Sequence, residues 1–257
     1  GDQKGVTLSL NNLLINTIAT IKEHDLSSHS IHFSCLPLCH VNAFSFSYFT
    51  NFIVGSKFIY QKSFFPFSYW NIIRDEKVEV VSSTPHIINL LNLDQRPFDK
   101  SLFPQLKYFL SASAPLSRSD IVNCKNRFGL RINQAYGLSE TVNFTLTIPR
   151  ELDDTTYHKV MVESEIPSAG SPIYGNNVEI LSSTNQILSE GETGEICIRG
   201  WNIFQNYYKN PEQTQKAFTA DFFHSGDTGY FKLCNKKKFI FINVRLIQIV
   251  KRKGLVI

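Results

Sequence analysis

The chain alternates short apolar runs with segments that carry apolar residues at helical spacing, and this alternation constrains the fold more than any other feature. The runs predict strands at 31–36, 57–60, 78–81, 106–110 and 130–135. The intervening segments predict helices at 43–54, 67–76, 118–128 and from Pro85, a residue well suited to the first turn of a helix. This order of elements is typical of an α/β fold with a mostly parallel sheet flanked by helices.

The pattern changes after about Ser168. Short strands are predicted at 178–181, 195–198 and 239–242, and turn residues rather than helices separate them. This later part is therefore predicted to form a smaller, strand-rich and distorted barrel-like subdomain.

Composition indicates a globular protein, because 42% of the 257 residues are hydrophobic and only 19% are charged. The net charge is +4, and lysine runs lie at 236–238 and 251–253. No interleaved aromatic platform accompanies these runs, so a solvated face is favoured over contact with nucleic acid. A first residue that is Gly, together with a single Met, suggests that the chain does not begin where its gene begins.

The cysteines and the most apolar stretch indicate the compartment. Cys35 and Cys39 stand near His40, but no second ligand pair follows at zinc spacing, so reduced thiols in the cytoplasm are favoured over a metal site. No secretory signal stands at the start of the chain. The stretch 41–60 carries the polar side chains of Asn42, Ser45, Ser47, Thr50, Asn51 and Lys57, so a buried helix followed by a strand is predicted there instead of a membrane span.

Tyr136, Ser139 and Glu140 place an aromatic ring, a hydroxyl and a carboxylate close together at the end of a predicted strand. A nucleotide needs a face to stack on, a hydrogen-bond donor for a phosphate oxygen and an oxygen ligand for Mg²⁺. Taken alone, the same residues also fit a strand-end turn with a surface carboxylate.

This motif and further segments, in the same order along the chain, resemble the adenylate-forming superfamily. That superfamily includes acyl-CoA synthetases, the adenylation domains of peptide synthetases and luciferase-type enzymes. The matching segments are Gly1–Val6, Leu36–Ala43, Ser111–Leu116, Tyr136–Thr141, Gly194–Gly200, Tyr207–Glu212 and Phe223–Gly229. The resemblance runs through nearly the whole chain and is strongest from Leu110 to Asp227.

The resemblance assigns roles to residues in the first half of the chain. Gly1–Val6 is similar to the end of the family's phosphate loop, with Gln3 in place of Pro, and it implies that Lys4 adds charge beside the phosphates. His40 matches a histidine that borders the acyl pocket, although a lone histidine among apolar residues is usually a core residue. Small residues that let adenine and the acyl group approach the backbone are Ser113, Ala114 and Pro115.

The resemblance also assigns the nucleotide contacts. It implies that Tyr136 stacks on adenine and that the adjacent Gly137 also belongs to the nucleotide site. It further implies that Ser139 binds the α-phosphate, at a position where the family usually has Thr. Glu140 would coordinate Mg²⁺. Asp227 would accept hydrogen bonds from both ribose hydroxyls.

The end of the chain, 239–257, resembles the family's hinge segment. There the resemblance implies that Arg245 contacts the ribose and that Gln248 occupies the hinge position. Val244 and Lys253 replace glycines of the family pattern. Gly194–Gly200 is similar to a segment that is chiefly structural.

The implied activity is a two-step ligation that uses ATP, Mg²⁺ and CoA. A carboxylic acid, fatty or aryl by expectation, attacks the α-phosphate, and a thiol then displaces AMP. One alternative is an adenylation domain that loads a carrier protein; another is a degenerate, non-catalytic nucleotide-binding remnant. The expected organisation is an α/β part at 1–168, a strand-rich subdomain at 169–243, and a hinge at 244–257 that leads to a missing C-terminal domain. As the middle of a longer enzyme, the chain alone would be nearly inactive.

Overall fold

The computed structural model describes the backbone of residues 4–245 and the side chains of residues 4–243. Its α-helices are α1 (Leu10–His24), α2 (Thr50–Val54), α3 (Pro66–Asp75), α4 (Pro85–Leu93), α5 (Arg118–Phe128), α6 (Asp154–His158) and α7 (Pro211–Lys216). Its strands are β1 (Val6–Thr7), β2 (Ile31–Ser34), β3 (Lys57–Tyr60), β4 (Val80–Ser83), β5 (Tyr108–Ser111), β6 (Arg131–Gly137), β7 (Phe144–Thr147), β8 (Ser171–Pro172), β9 (Asn176–Leu181), β10 (Gly194–Gly200), β11 (Asn206–Tyr207), β12 (Phe218–Thr219), β13 (Phe222–Cys234) and β14 (Lys237–Arg245). Short π-helices cover Ala43–Phe49 and Lys159–Glu163, and 3₁₀ turns cover Lys100–Leu102 and Ser139–Thr141.

The larger layer is a seven-stranded sheet with the order β3-β2-β4-β5-β6-β7-β8. The first five strands are parallel, and the last two run antiparallel to their neighbours. Parallel neighbours need a crossover connection, which is why helices alternate with strands in this part of the chain. The prediction of a mostly parallel sheet flanked by helices is confirmed.

The core lies where this sheet packs against α3, α4 and α5. Phe33 and Phe109 of the sheet are fully buried with Ile73, Leu91 and Phe128 of the helices. Burying an aromatic or aliphatic side chain of this size stabilises the fold by roughly 1.5–3 kcal/mol. This packing fixes the position of the sheet and, with it, the position of the ends of its strands.

The second sheet is entirely antiparallel and has five strands, in the order β12-β13-β10-β9 with β14 also paired to β13. It joins the first sheet through Ile240, whose N–H donates to the Gly170 carbonyl and whose carbonyl accepts from Ala169 N–H, both at 2.9 Å. The prediction of a strand-rich, barrel-like unit after the α/β part is confirmed.

The first helix connects the two sheets. Ser9 caps α1, because its hydroxyl accepts from Asn12 N–H and its own N–H donates to the Asn12 amide oxygen. The Asn12 amide nitrogen then donates to the carbonyl oxygens of Trp201 at 2.7 Å and Ile203 at 3.1 Å. These bonds hold the loop after β10 against the α/β part.

The predicted buried helix at 43–54 needs a correction. It consists of a π-helical segment followed by α2, and it ends as expected at Gly55, whose φ is 69°. The prediction of a buried helix holds for only part of its apolar residues. Ala43 and Phe46 are buried together with the polar side chains of Ser45, Ser47, Thr50 and Asn51, whereas Phe44, Tyr48, Phe52 and Ile53 are exposed.

Hydrogen bonds explain part of the burial of these polar side chains. The Thr50 hydroxyl donates to the Ser45 carbonyl at 2.8 Å, and the Asn51 amide bonds to His32 Nδ1 at 2.8 Å. Buried polar groups that find such partners avoid most of the cost of leaving water. Within the described part of the chain, no helix combines the length and the apolar character needed to cross a membrane.

Candidate functional site

The candidate site lies at the carboxyl ends of β5 and β6, the edge of a parallel sheet where ligands commonly bind. β6 ends at Gly137, and a side chain there is excluded because a Cβ would stand 1.4 Å from the carbonyl oxygen of Asn143. The chain then turns sharply, with the Thr141 hydroxyl accepting from Leu138 N–H at 3.0 Å. This turn presents Ser139 to solvent and leaves Glu140 half-buried.

The loop after β10 holds the turn from the other side. Phe204 N–H donates to the Glu140 carbonyl at 2.7 Å, and the Asn202 amide donates to the Thr141 carbonyl at 2.9 Å. The turn is therefore fixed by both sheets, and its side chains project from a rigid base.

Glu140 also has a side-chain partner. The Tyr207 hydroxyl donates to Glu140 Oε1 at 2.7 Å. The Lys4 ammonium lies 4.7 Å from the centre of the Tyr207 ring, a distance typical of a cation–π contact. The structure thus brings together Lys4 and Glu140, which stand far apart in the sequence, through a tyrosine that sequence reasoning had assigned no chemistry.

Two predicted nucleotide contacts meet across the sheets. The Tyr136 hydroxyl donates to Asp227 Oδ2 at 2.6 Å. Asp227 is buried, and its backbone pairs with Arg245 in the β13–β14 ladder. The side chain of Arg245 and the whole of Gln248 lie outside the described residues.

Glu195 fixes the backbone that carries Asp227. Its Oε1 accepts from Gly226 N–H at 3.0 Å, and its Oε2 lies 2.8 Å from His224 Nδ1. Both donors belong to the stretch directly before Asp227. Glu195 was missed as a site residue, because its segment carried only a structural resemblance.

Glu195, Cys197 and His224 also form a group of possible metal ligands, all within 4.8 Å of one another. Burial, and then the charge of Glu195, raise the pKa of Cys197 to about 12. Both oxygens of Glu195 are already engaged, one with Gly226 N–H and the other with His224 Nδ1. The chemistry of this donor set fits the hydrogen-bonded support of Asp227 better than a metal centre.

A cavity of about 230 Å³ opens beside Ser139. It is lined by Cys39, His40, Val41, Asn42, Ala112, Ser113, Gly137, Ser139, Asn143 and Phe144. His40 is exposed at its wall, so this residue is not a core histidine. Ala114 and Pro115 are exposed but do not line the cavity, so only Ser113 of that predicted trio does.

A larger surface depression of about 540 Å³ lies elsewhere, between Gly175–Asn177 and Arg199–Trp201. It contains none of the predicted site residues. Because the smaller cavity adjoins the turn with Ser139 and Glu140, we take the smaller one as the candidate site.

Comparison with known proteins identifies the family. The family model described as AMP-binding enzyme matches residues 1–208. The chain belongs to this family of AMP-binding enzymes. The resemblance that the motifs carried is thereby confirmed.

Relatives within the AMP-binding enzymes are CoA ligases. The feruloyl-CoA synthase of Amycolatopsis sp is 26% identical over 249 residues, which cover 95% of this chain and 48% of that protein. The crotonobetaine/carnitine–CoA ligase of Citrobacter koseri is 26% identical over 257 residues, which cover 98% of this chain and 46% of that protein. The chain thus spans about half the length of the relatives it matches.

Solved structures give the same fold. ATP-bound MatB from Rhodopseudomonas palustris matches with a TM-score of 0.86 at 23% identity, over 99% of this chain and 48% of that one. O-succinylbenzoate CoA synthetase (MenE) from Bacillus subtilis, in complex with ATP and a magnesium ion, matches with a TM-score of 0.82 at 20% identity, over 99% of this chain and 50% of that one. At these identities the match shows the fold alone.

Proposed function

We propose that this chain forms the nucleotide site of an AMP-forming acid–CoA ligase. The observation that carries the proposal is the meeting of Tyr136 and Asp227, from two different sheets, next to the turn that bears Ser139 and Glu140. A ring, a buried carboxylate, a hydroxyl and a second carboxylate in this order match the parts of a nucleotide from base to phosphate.

The residues would divide the work along the nucleotide. Tyr136 and Gly137 would bind the adenine, and Asp227 with Arg245 would bind the ribose. Ser139 would donate a hydrogen bond to the α-phosphate, and Lys4 would add positive charge beside the phosphates.

The reaction would have two steps. The carboxylate of the acid attacks the α-phosphorus of ATP, and pyrophosphate leaves with the electrons of the broken P–O bond. The thiol of CoA then attacks the acyl carbon, and AMP leaves. Positioning and charge neutralisation supply most of the catalysis in phosphoryl transfer, so a rigid turn that holds Ser139 and Glu140 suits the first step.

Glu140 fits the role of Mg²⁺ ligand. Tyr207 occupies Oε1, and Oε2 accepts no hydrogen bond from any side chain or backbone group that the structure describes. Mg²⁺ is commonly bound by one or two carboxylates together with the phosphates of the substrate, and it would neutralise phosphate charge.

The remaining assignments are also proposals. The division at 168 and 243 and the hinge at Gln248 follow the family resemblance. We place the protein in the cytoplasm because all five cysteines are free thiols. A role in fatty acid metabolism would require the activated acid to be a fatty acid. A cavity of about 230 Å³ supports a short acid rather than a long chain.

Two other functions use the same site. An adenylation domain would pass the acyl group to a carrier protein instead of CoA; the CoA ligases among the relatives favour CoA. A non-catalytic remnant would bind nucleotide without activating an acid. The hydrogen bonds that support Glu140 and Asp227 favour a working site over a remnant.

The test is the dependence of ATP binding on Mg²⁺, measured by calorimetry. In the parent chain Mg²⁺ is expected to tighten ATP binding by about ten-fold, the size of one charge-assisted contact. Glu140→Gln is expected to lose this tightening, whereas the matched change of exposed Glu165→Gln is expected to keep it. Equal tightening in both variants, or a folded chain that binds no ATP, would refute the proposal.

A further inference from the structure

The loop that follows β10 is hydrogen-bonded on two sides. On one side, the carbonyl oxygens of Trp201 and Ile203 accept from the Asn12 amide nitrogen at 2.7 and 3.1 Å. On the other side, Phe204 N–H donates to the Glu140 carbonyl at 2.7 Å. The loop therefore joins the first turn of α1 to the turn that bears the proposed Mg²⁺ ligand.

Two of these bonds belong to one peptide group. The carbonyl of Ile203 and the N–H of Phe204 are parts of the same peptide unit, which is planar and rigid. The two groups point in opposite directions, so the carbonyl reaches Asn12 while the N–H reaches Glu140. A rotation of this plane that breaks one bond also misaligns the other, so the position of Asn12 is coupled to that of Glu140.

The side chain of Asn12 has one orientation that satisfies all of these partners. Its oxygen accepts from the N–H and the hydroxyl of Ser9, both at 2.8 Å, and its nitrogen donates to the two loop carbonyls. A rotation by 180° would place the amide oxygen against two carbonyl oxygens, which can only accept. Asn12 is 7% exposed, so water competes little for these bonds. The helix cap thus aims the amide donors at the loop.

Strand β1 holds the later part of the loop. Gln205 N–H donates to the Thr7 carbonyl at 3.0 Å, and Tyr208 N–H donates to the Gly5 carbonyl at 2.7 Å. These bonds fix the chain from Gln205 onwards. Asn12 instead holds the earlier part, which contains the groups that bond the main chain of the turn.

Glu140 is held by this loop at its main chain and at its side chain. Its carbonyl accepts from Phe204 N–H, and its Oε1 accepts from the Tyr207 hydroxyl at 2.7 Å. The Asn202 amide donates to the neighbouring Thr141 carbonyl at 2.9 Å. Mg²⁺ demands nearly ideal octahedral geometry, and loss of a group that orients a metal ligand commonly reduces metal affinity by roughly ten- to a hundred-fold. A displaced loop would move Glu140 away from that geometry.

We propose that Asn12 is a positioning residue for Glu140, which it orients through the peptide group of Ile203 and Phe204. The assignment rests on the proposed function, in which Glu140 binds the Mg²⁺ of ATP. Asn12 itself touches neither the nucleotide nor the metal. Loss of its amide donors therefore weakens the effect of Mg²⁺ on ATP binding and leaves AMP binding unchanged.

Two substitutions in the helix cap separate capping from positioning. Asn12→Asp retains an oxygen for Ser9 but has no N–H to donate to the loop carbonyls. Ser9→Ala removes the cap hydroxyl and retains both amide donors of Asn12. Ser9→Ala is the matched control, because it is expected to lower the unfolding temperature by roughly 2–4 °C without breaking a bond to the loop.

Calorimetric titration with ATP, with and without Mg²⁺, measures the positioning role. In the parent chain and in Ser9→Ala, Mg²⁺ is expected to tighten ATP binding by about ten-fold. In Asn12→Asp the tightening is expected to fall below about three-fold, while AMP binding stays within about three-fold of the parent. Asn12→Ala removes the same donors without burying a charge, and it is expected to show the same loss if Asn12→Asp fails to fold.

A double-mutant cycle with Glu140→Gln shows whether Asn12 acts through Glu140. Residues that share one hydrogen-bonded network have non-additive effects, whereas independent residues have additive ones. Asn12→Ala is expected to weaken ATP binding in the presence of Mg²⁺ by about three- to ten-fold in the parent chain, but by less than about two-fold in Glu140→Gln. An equal loss in both backgrounds would show a purely structural role and overturn the assignment.

The outcomes distinguish this assignment from the proposed function. If Glu140→Gln loses the Mg²⁺ effect but the Asn12 variants keep it, the positioning assignment is overturned and the nucleotide site stands. Equal losses of ATP and AMP binding in the Asn12 variants would also overturn it. If a folded parent chain shows no Mg²⁺ effect, the proposed role of Glu140 fails, and the positioning assignment fails with it.

Discussion

The Tyr136 hydroxyl donates a hydrogen bond to Asp227 Oδ2 over 2.6 Å and so links the end of β6 to the middle of β13. The two residues are 91 positions apart in the chain. Because Asp227 is the proposed ribose ligand, the contact places the tyrosine ring where the base attached to that ribose would lie. Ring and hydroxyl therefore have separable tasks.

Substitutions at Tyr136 separate the two tasks. Tyr136→Ala removes the stacking face and is expected to weaken AMP binding by about ten-fold or more, since a base–aromatic stack contributes about 1–3 kcal/mol. Tyr136→Phe keeps the ring and is expected to stay within about three-fold of the parent. Calorimetric titration with AMP checks both; equal losses in the two variants would show that the hydroxyl, and not the ring, matters.

The bond between Tyr207 and Glu140 predicts an effect that depends on Mg²⁺. Tyr207→Phe removes the donor to Oε1 but keeps the ring beside Lys4, so ATP binding with Mg²⁺ is expected to weaken by about three- to ten-fold. AMP binding without Mg²⁺ is expected to be unchanged. Tyr208→Phe, at an exposed neighbouring tyrosine, is the matched control. A loss of AMP binding in Tyr207→Phe would contradict a role through Glu140.

Glu195 is predicted to act on the nucleotide through Asp227. Glu195→Ala removes the acceptor for Gly226 N–H and the partner of His224, and is expected to weaken AMP binding by about ten-fold. Glu195→Gln retains an oxygen for Gly226 N–H and is expected to recover most of the affinity. Titration of both variants with AMP, next to thermal unfolding, makes the measurement. If the unfolding temperature falls equally in both variants but neither binds AMP more weakly, the role of Glu195 is structural only.

Two buried histidines predict sensitivity to acid. Desolvation lowers the pKa of His24 and of His32 from 6.5 to about 3. Between these values the unfolded chain binds more protons than the folded one, so stability falls as pH drops from about 6.5 towards 3. Each histidine contributes a slope of about 1.4 kcal/mol per pH unit within that window.

Urea unfolding at several pH values measures this slope. His24→Gln is expected to reduce it by about one proton, or about 1.4 kcal/mol per pH unit, whereas exposed His29→Gln is expected to leave it unchanged. A parent chain whose stability is flat between pH 6.5 and 4 would show that these histidines are protonated in the folded state.

Elements with strong local signals were predicted closely from the sequence. α5 begins after Ser117, whose hydroxyl caps it, and ends at Gly129, whose φ is 66°. β3 has the predicted bounds because Gly55 ends the helix before it. Capping residues and positive-φ glycines act over a few residues, so sequence alone reveals them.

The elements that the sequence did not reveal have reversed or mixed patterns. α1 was not predicted, because its buried face consists largely of Asn12, Asn16, Thr17, Thr20 and His24, while its Leu10 and Ile18 are exposed. β13 contains Ser225, Gly226 and Gly229, which are poor strand formers, and it is held by partners on both edges. Tertiary contacts decided both elements.

The site shows the same division. The sequence named Tyr136, Glu140 and Asp227 from local motifs, but it gave no sign that Tyr207 reaches Glu140. That contact depends on the short pairing of β1 with β11, which forms only in the folded chain.

The central claim is that Asp227 binds the ribose of an adenine nucleotide, and AMP titration of the parent chain and of Asp227→Ala tests it most directly. Asp75→Ala, at an exposed position on α3, is the matched control. The account predicts saturable binding by the parent chain and a loss of about ten- to a hundred-fold in Asp227→Ala only. No binding by a folded parent chain, or equal binding by Asp227→Ala, would contradict it.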